Sequence, residues 1–426
     1  MNILQTFKRI FTLKDLRNKI LFTALIILLF RVLSHIPLPG VDTAGLQSFF
    51  QNNQVLGMLD LFSGGSIGRF SLAMLGVGPY ITASIVIQLL TIAVPALEAL
   101  QKEGEWGKQK INQYTRYLSV PLAIVESYGL IRVLQSQNVL EPLNFANMAL
   151  IITCATATTV LLMWMGELLS ERGIGNGLSL IISIGIIAGI PSQIVSTSQV
   201  VGGQYILAAE LILAFIAMIV FIVFVNEAER RVPVSYARRV RSGRSVGNID
   251  SYLPIKANAA GVIPIIFSTS MLVVPNVIAQ MLQTSTRESL KSAAATITQI
   301  FSNNYFYGIT FFVLVFAFTF FYTSIIFRPK DIAENLQKQG GFVPGIRPGT
   351  QTADYLSSVI YKITFPGAFF LAIVALFPFL LQNLTGIRTL AIGGTGVLII
   401  VSVTLDFVRQ VKAQLAMRSY DELYQE

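Results

Sequence analysis

Apolar segments long enough to cross a lipid bilayer recur along the whole 426-residue chain. A helix needs about 20 mainly apolar residues to span the hydrocarbon core. The ten candidate spans are 20–36, 72–94, 118–133, 146–165, 178–194, 205–225, 259–282, 305–327, 363–384 and 389–408. Only 12% of the residues are charged, which is far below the share in soluble domains. The sequence therefore predicts an all-α membrane protein with ten spans and no sizeable soluble domain.

Lys and Arg are distributed unequally between the two sides that these spans define. With the N-terminus inside, 25 of the 31 Lys and Arg residues fall on the cytoplasmic side. Because positive charge close to a span is retained in the cytoplasm, this asymmetry predicts that both termini are cytoplasmic. It also accounts for the net charge of +9 without a nucleic-acid partner. The first span lacks a small-residue cleavage site at its end, so we interpret it as a retained anchor.

The spans divide into two equal groups. Five precede residues 191–204 and five follow them. Because five is an odd number, a second half with the same fold would insert in the opposite orientation. The count therefore predicts an inverted repeat of two halves, 1–195 and 196–426, in which a site lies between the halves near the middle of the membrane.

Three predicted loops are more than simple connections. The outer loop 38–71 contains a short apolar run, 55–62, followed by Ser63-Gly64-Gly65. This run is too short to span the bilayer and too apolar for a free loop, so it predicts a short re-entrant helix. The cytoplasmic loops 226–258 and 328–362 are long and basic, which predicts docking surfaces.

The sequence argues against several kinds of chemistry. One cysteine, Cys154, and one histidine, His35, cannot build a disulfide framework, a zinc tetrad or a Cys–His pair. The glycine-rich stretch 173–177 lacks the Lys-Ser/Thr of a phosphate-binding loop and predicts a tight turn that leads into a helix. No Ser–His or paired-carboxylate arrangement supports a hydrolase. We therefore predict no cofactor, no bound metal and no catalytic residue.

Acidic residues inside spans would be the usual mark of ion-coupled transport. Glu167, Glu210 and Asp406 lie close to span ends, where interfacial water accounts for them. Glu126 lies near the middle of the third span, and both a functional and a structural role are open for it. In 76–81, two glycines and a proline disrupt regular helix, which fits either a plain kink or a narrow apolar constriction.

Several separated motifs resemble one family from the first span to the last. They are Phe62-Ser63-Gly64-Gly65, Pro79-Tyr80-Ile81-Thr82-Ala83-Ser84-Ile85, Gln113-Tyr114-Thr115-Arg116-Tyr117, Gly166-Glu167, Glu171-Arg172-Gly173-Ile174-Gly175-Asn176-Gly177, Ala260-Gly261-Val262-Ile263-Pro264 and Phe342-Val343-Pro344-Gly345-Ile346-Arg347-Pro348-Gly349. Together they resemble SecY, the family of bacterial protein-translocation channels equivalent to the alpha subunit of the eukaryotic translocon. The resemblance implies a passive channel of the inner membrane that passes unfolded polypeptides and releases hydrophobic segments into lipid between spans two and seven.

The same resemblance implies roles for particular residues. The pore ring would consist of the branched aliphatic residues Val77, Ile81, Ile182, Ile266 and Ile399. The plug, about 57–71, would include Leu59, Phe62, Ser63, Gly64, Gly65 and Arg69. The sideways gate would use Thr82, Glu126, Asn258 and Val274. Docking of the motor or the ribosome would use Arg231, Arg238 and Arg347, although Pro233 departs from the pattern expected between the first two.

Partners follow from the resemblance too. They are the small subunits SecE and SecG, the motor ATPase SecA, the ribosome, secretory and membrane-protein precursors, and membrane lipid. The competing hypothesis is a secondary transporter of peptides or small solutes, which shares inverted repeats and broken helices. A transporter would need a coupling-ion site at mid-membrane, and only Glu126 is available for it. A membrane-embedded enzyme would need a nucleophile–base pair.

Overall fold

A helix lies in each of the ten predicted spans. The computed structural model describes residues 13–38, 63–136, 139–140, 143–201, 205–236, 250–283, 288–385 and 394–423. The span helices are α1 (Lys14–Leu33), α2 (Gly78–Ala93), α4 (Glu105–Ser136), α5 (Phe145–Arg172), α6 (Gly177–Val201), α7 (Tyr205–Glu227), α8 (Ile263–Gln283), α10 (Asn304–Ile326), α12 (Thr350–Thr385) and α13 (Gly394–Leu423). Three shorter helices, which lie between these, are α3 (Pro95–Lys102), α9 (Glu288–Ser302) and α11 (Pro329–Lys338).

Several of these helices have the length and composition of membrane spans. Among the described residues, five helices are long and apolar enough to cross a bilayer, and α2 with α3 makes a sixth that is bent by 100°. The apolar parts of α6 and α8 are shorter, and each helix contains a proline, Pro191 or Pro275. A proline inside a helix removes one backbone hydrogen bond and favours a break. The prediction of an all-α, multi-span membrane protein is confirmed.

The second predicted span, 72–94, needs a correction. Its helix α2 begins at Gly78, with Pro79 in the first turn, where the missing N–H of proline costs no hydrogen bond. Gly76 lies before the helix and has φ +55°, a left-handed conformation that favours glycine. The two glycines and the proline therefore mark the start of a helix and not a kink within one. At its other end α2 stops at Ala93, and the chain turns sharply into α3.

The described residues form two compact units. The first unit consists of the described parts of Met1–Tyr205, Leu272–Asn303 and Pro378–Glu426. In this unit α2 packs on α4, α4 on α5, α5 on α6, and α6 on α13. A buried apolar cluster, which includes Phe70 and Met74, joins the segment before α2 to α4 and α5. The predicted relation of two inverted halves, 1–195 and 196–426, stays a prediction.

The second unit consists of Ile206–Met271 and Asn304–Phe377, in their described parts. Aromatic rings connect α10 with α12 in antiparallel order: Phe312 with Phe369, Phe316 with Phe365, and Phe320 with Tyr361. Residues four apart lie on one face of a helix, so each step of one turn adds another ring pair. Edge-to-face and tilted pairs of this kind add stability beyond the area that they bury. This ladder fixes the register of the two helices.

A small antiparallel sheet joins the two predicted cytoplasmic loops. Its strands are β1 (Glu229–Tyr236), β2 (Asp250–Lys256) and β3 (Gly341–Phe342), in the order β2-β1-β3. These strands were not predicted from the sequence. Val232 and Val234 are two positions apart and flanked by Arg231 and Ser235, and this spacing of two could have indicated β1. In the structure both valines are buried and Pro233 between them is exposed.

Pro233 fits this sheet for a specific reason. It lies opposite Tyr252 of β2, whereas β3 pairs only with Ser235 and Tyr236. Among the described residues no strand pairs with Pro233 on its other side, and at such an edge a residue without an N–H is tolerated. The departure from the family pattern at this position does not disrupt the strand.

Candidate functional site

Residues 63–77, which lead into α2, form a buried chain of turns, here called the turn segment. Most of its residues are buried, and Ser66 and Phe70 have no exposed surface. Its backbone groups bond within the segment, as in the 2.9 Å hydrogen bond from Phe70 N to Ile67 O. The described part of the predicted plug, 63–71, is thus a compact series of turns, while the run 55–62 that predicts a re-entrant helix lies outside the described residues. The plug candidates Leu59 and Phe62 lie outside the described residues.

The turn segment is attached to the end of α1. Backbone hydrogen bonds run from Leu38 N to Phe70 O (2.8 Å) and from Leu72 N to Ile36 O (2.9 Å). Phe70 has φ +47°, which is unusual for a bulky residue and indicates local strain held by the surrounding packing. These contacts fix the middle of the segment, near Phe70, while Gly64 and Gly65 lie at its start.

Arg69 adds a side-chain link at the same place. Its Nη1 lies 2.8 Å from Nε2 of His35, and Nδ1 of His35 lies 2.7 Å from the carbonyl oxygen of Arg31. An arginine only donates hydrogen bonds, so His35 accepts at Nε2 and donates from Nδ1, which assigns a neutral imidazole. The family resemblance implied a plug role for Arg69, and nothing in the sequence indicated His35 as its partner.

The predicted ring residues lie in both units. Val77, Ile182 and Ile399 are buried in the first unit, where Ile81 is half-buried. Helices α6 and α13, which carry Ile182 and Ile399, pack against each other. Ile266 is half-buried in the second unit. The ring itself stays a prediction.

The structure brings two of the four predicted gate residues together. The Glu126 carboxylate of α4 lies beside the first turn of α2, close to the Thr82 side chain, and its Oε2 is 3.9 Å from where a Cβ on Gly78 would be. The Thr82 hydroxyl also lies 3.2 Å from the carbonyl oxygen of Gly78. The third residue, Asn258, donates a 2.9 Å hydrogen bond to the side chain of Asn226 in the second unit. Val274 lies in α8, and its side chain is outside the described part.

Two of the three predicted docking residues lie on the sheet and the turn that follows it. Arg231 of β1 has a side chain that is 69% exposed and lies 2.8 Å from Glu229. Arg347 is exposed in the turn before α12, where its carbonyl oxygen accepts a 2.9 Å hydrogen bond from Thr352. Gly345 and Gly349 have φ of +82° and +102° on either side of it. Arg238 lies outside the described residues.

One ion pair was not predicted. Arg116 of α4 and Glu167 of α5 are 2.7 Å apart, and the Glu167 side chain is only 19% exposed. Glu167 therefore belongs to a link between two helices, which is more specific than the interfacial solvation that we expected for it. The two residues are 51 positions apart in the sequence, so no helical spacing could have revealed the pair.

The glycine-rich stretch 173–177 forms the expected turn and helix entry. Gly177 N donates to the Ser170 hydroxyl (2.9 Å), and Ser179 N donates to the Asn176 side chain (3.3 Å), so two polar side chains cap the start of α6. Among the described residues, no group of three or more His, Cys, Asp or Glu side chains is placed to hold a metal ion.

Comparisons with known sequences agree with one another. A family model described as SecY matches residues 71–408. The chain is 41% identical to the protein translocase subunit SecY of Streptomyces galbus, in an alignment that covers 98% of this chain and 99% of that protein. It is 40% identical to the protein translocase subunit SecY of Mycobacterium tuberculosis (strain ATCC 25618 / H37Rv), with 96% of each covered.

Solved structures with the same fold exist. A structure described as that of a protein conducting channel matches with a TM-score of 0.60 at 20% identity, over 92% of this chain and 91% of that one. Sec61 in the canine ribosome-channel complex from the endoplasmic reticulum matches with a TM-score of 0.56 at 20% identity, over the same shares. At this level of identity the similarity shows a common fold.

Proposed function

Because the chain belongs to the SecY family, we propose that it is a membrane channel that passes unfolded polypeptides across the bilayer and releases hydrophobic segments sideways into lipid. The observation that carries the proposal is the buried turn segment between α1 and α2. Irregular backbone is tolerated at membrane depth only where it is covered by protein or lines a cavity. A compact, internally bonded segment meets this condition and can act as a movable plug.

The seal of the resting channel would depend on the branched aliphatic ring. A narrow hydrophobic constriction excludes water when nothing fills it, and so blocks ions without a charged gate. The burial of Val77, Ile182 and Ile399 supports this role, because dry aliphatic side chains are what such a seal requires. Ile81 and Ile266 would complete the ring.

The sideways gate would lie between spans two and seven. A polar contact between membrane helices contributes only about 0.6 to 2 kcal/mol, which suits a seam that must open reversibly. The proximity of the polar side chains Thr82 and Glu126 supports such a role. Asn258 and Val274 would contribute from the side of α8.

External partners would supply the energy and the substrate. The exposed Arg231 and Arg347, together with Arg238, would dock the motor ATPase SecA or the ribosome on the cytoplasmic side. The small subunits SecE and SecG would complete the complex. The chain would lie in the inner membrane with both termini in the cytoplasm, as the distribution of Lys and Arg predicts.

A translocation assay tests this function. The chain is reconstituted with SecE and SecG into vesicles, and SecA, ATP and a secretory precursor are added outside. We expect the precursor to become protected from protease only when ATP and the chain are both present. Vesicles that carry SecE and SecG alone are the control. Absence of protection, with ion-driven uptake of small peptides or solutes instead, would support the transporter hypothesis and contradict the proposal.

A further inference from the structure

Two glycine backbones meet where the turn segment touches α6. A Cβ atom added at Gly64 would lie 2.8 Å from the Cα of Gly185 and 3.3 Å from its carbonyl oxygen. Real Cβ atoms essentially never show such a short distance to a backbone atom, so only glycine fits at position 64. Gly64 also has φ +76°, which an L side chain rarely adopts. The turn segment thus rests directly on the backbone of α6.

The contact lies next to the residues of the proposed seal. Gly185 follows Ile182 by three positions, so the two lie on neighbouring positions of the α6 surface. The next residue, Ile186, is almost fully buried, and its Cγ2 lies 3.2 Å from where a Cβ at Gly396 of α13 would be. Gly396 in turn precedes Ile399 by three positions. One turn of α6 therefore contacts both the turn segment and the helix that carries Ile399.

We propose that Gly185 is the seat of the plug: the Gly64–Gly185 contact sets how closely the turn segment approaches the seal in the resting channel. The inference rests on the proposed channel function and adds a positioning residue to it. Gly185 acts through the turn segment and touches no substrate.

A contact between two glycines suits a plug segment that must leave the constriction and return to it. The two backbones approach closely because no side chain separates them, so the segment covers the constriction tightly. Neither glycine has a side chain, so the Gly64–Gly185 contact itself can break and form again without a rotamer change at these two residues. The hydrogen bonds that hold the segment at 69–72 are made to the end of α1 and can remain in place.

Two alanine substitutions separate the contact from backbone strain. Gly64 and Gly65 both have φ +76°, but a Cβ at Gly65 would meet no atom within 4 Å. Gly64→Ala and Gly65→Ala therefore carry similar strain, and only the first pushes against Gly185. The ion conductance of the resting complex in planar bilayers is the readout. We expect Gly64→Ala to leak several-fold more than Gly65→Ala.

A second readout follows the segment itself. In a Cys154→Ser background, the buried Ile67 is replaced by cysteine and its reaction with a membrane-impermeant thiol reagent is timed. The reaction should become faster in Gly64→Ala and change less in Gly65→Ala. If Gly64→Ala does not assemble, Gly185→Ala replaces it, because alanine is favoured over glycine inside a helix. The same leak is expected there.

The outcomes distinguish the seat from the channel function. Equal ion leak and equal thiol reactivity in Gly64→Ala and Gly65→Ala would contradict the proposed role of Gly185. If the wild-type complex still protects precursor from protease, the channel function is unaffected by that result. A wild-type complex that transports no precursor would instead contradict the proposed function itself.

Discussion

At the scale of single residues, the link between Arg69 and His35 holds the turn segment to the end of α1. His35 is the one histidine of the sequence, and both of its ring nitrogens are engaged. Arg69 donates to one of them, while the Arg31 carbonyl oxygen accepts from the other. Because the second bond orients the imidazole, His35 presents a fixed acceptor to Arg69.

Loss of either partner should loosen the turn segment. A hydrogen bond to a charged group contributes about 1.5 to 3 kcal/mol, so His35→Ala and Arg69→Ala should each speed thiol modification of a cysteine at position 67. The double variant should add little to either single one, because both remove the same bond. His35→Gln, which keeps an acceptor, is the matched control and should lie closer to wild type. Strictly additive effects of the two alanine substitutions would show that the bond does not hold the segment.

The long-range partners could not be read from the sequence. Arg69 and His35 are 34 positions apart, and Arg116 and Glu167 are 51 apart. Helical or strand periodicity relates residues only a few positions apart, so it carries no information about such pairs. Glu126 is an intermediate case, because the sequence showed that it lies deep within a span, whereas its proximity to Thr82 and to the start of α2 required the structure.

At the scale of elements, the docking candidates share one folded support. Strands β1 and β2 come from the first of the two predicted cytoplasmic loops, while β3 and α11 come from the second. A common apolar core packs beneath them and includes Val232 and Val234 of β1, Val343 after β3, and Leu356 of α12. Arg231 and Arg347 therefore depend on the same core, although their loops are far apart in the sequence.

Leu356→Ala should weaken both docking loops together. Leu356 has no exposed surface, and the truncation of a buried leucine costs about 2 to 5 kcal/mol. We expect faster proteolysis and faster hydrogen exchange in 229–236 as well as in 341–349, with little change elsewhere. Asp354→Ala, an exposed position on the same helix, is the control. Faster exchange in only one of the two loops would contradict a shared core.

The hydropathy pattern predicted the helices but not the residues at which they begin and end. Helix α4 begins at Glu105, well before the predicted start at residue 118, and α12 begins at Thr350 rather than at 363. The early part of α4 is polar, with an exposed ion pair between Lys108 and Glu105. An apolar run ends where the chain leaves the bilayer. The helix itself can continue into water as long as its residues favour helical structure.

At the scale of the whole molecule, the surface of the helices fits a membrane environment. The most apolar stretch of α7 has a mean hydropathy of 3.0, yet only 11% of it is buried within the chain. An apolar surface of this kind needs lipid or neighbouring helices, because soluble proteins rarely expose one. The positions of the ten spans and their helical class therefore followed from hydropathy, while the turn segment and the sheet depended on local backbone geometry that hydropathy does not report.

The ion conductance of the resting complex tests the central claim, a channel sealed by an aliphatic ring, most directly. Ile81, Ile182, Ile266 and Ile399 are replaced together by serine, and conductance is measured in planar bilayers before any precursor is added. Polar side chains let water enter a constriction that branched aliphatic ones keep dry. The account predicts a clear rise in resting conductance over wild type, with precursor translocation retained. Unchanged conductance in a variant that still assembles and translocates would contradict it.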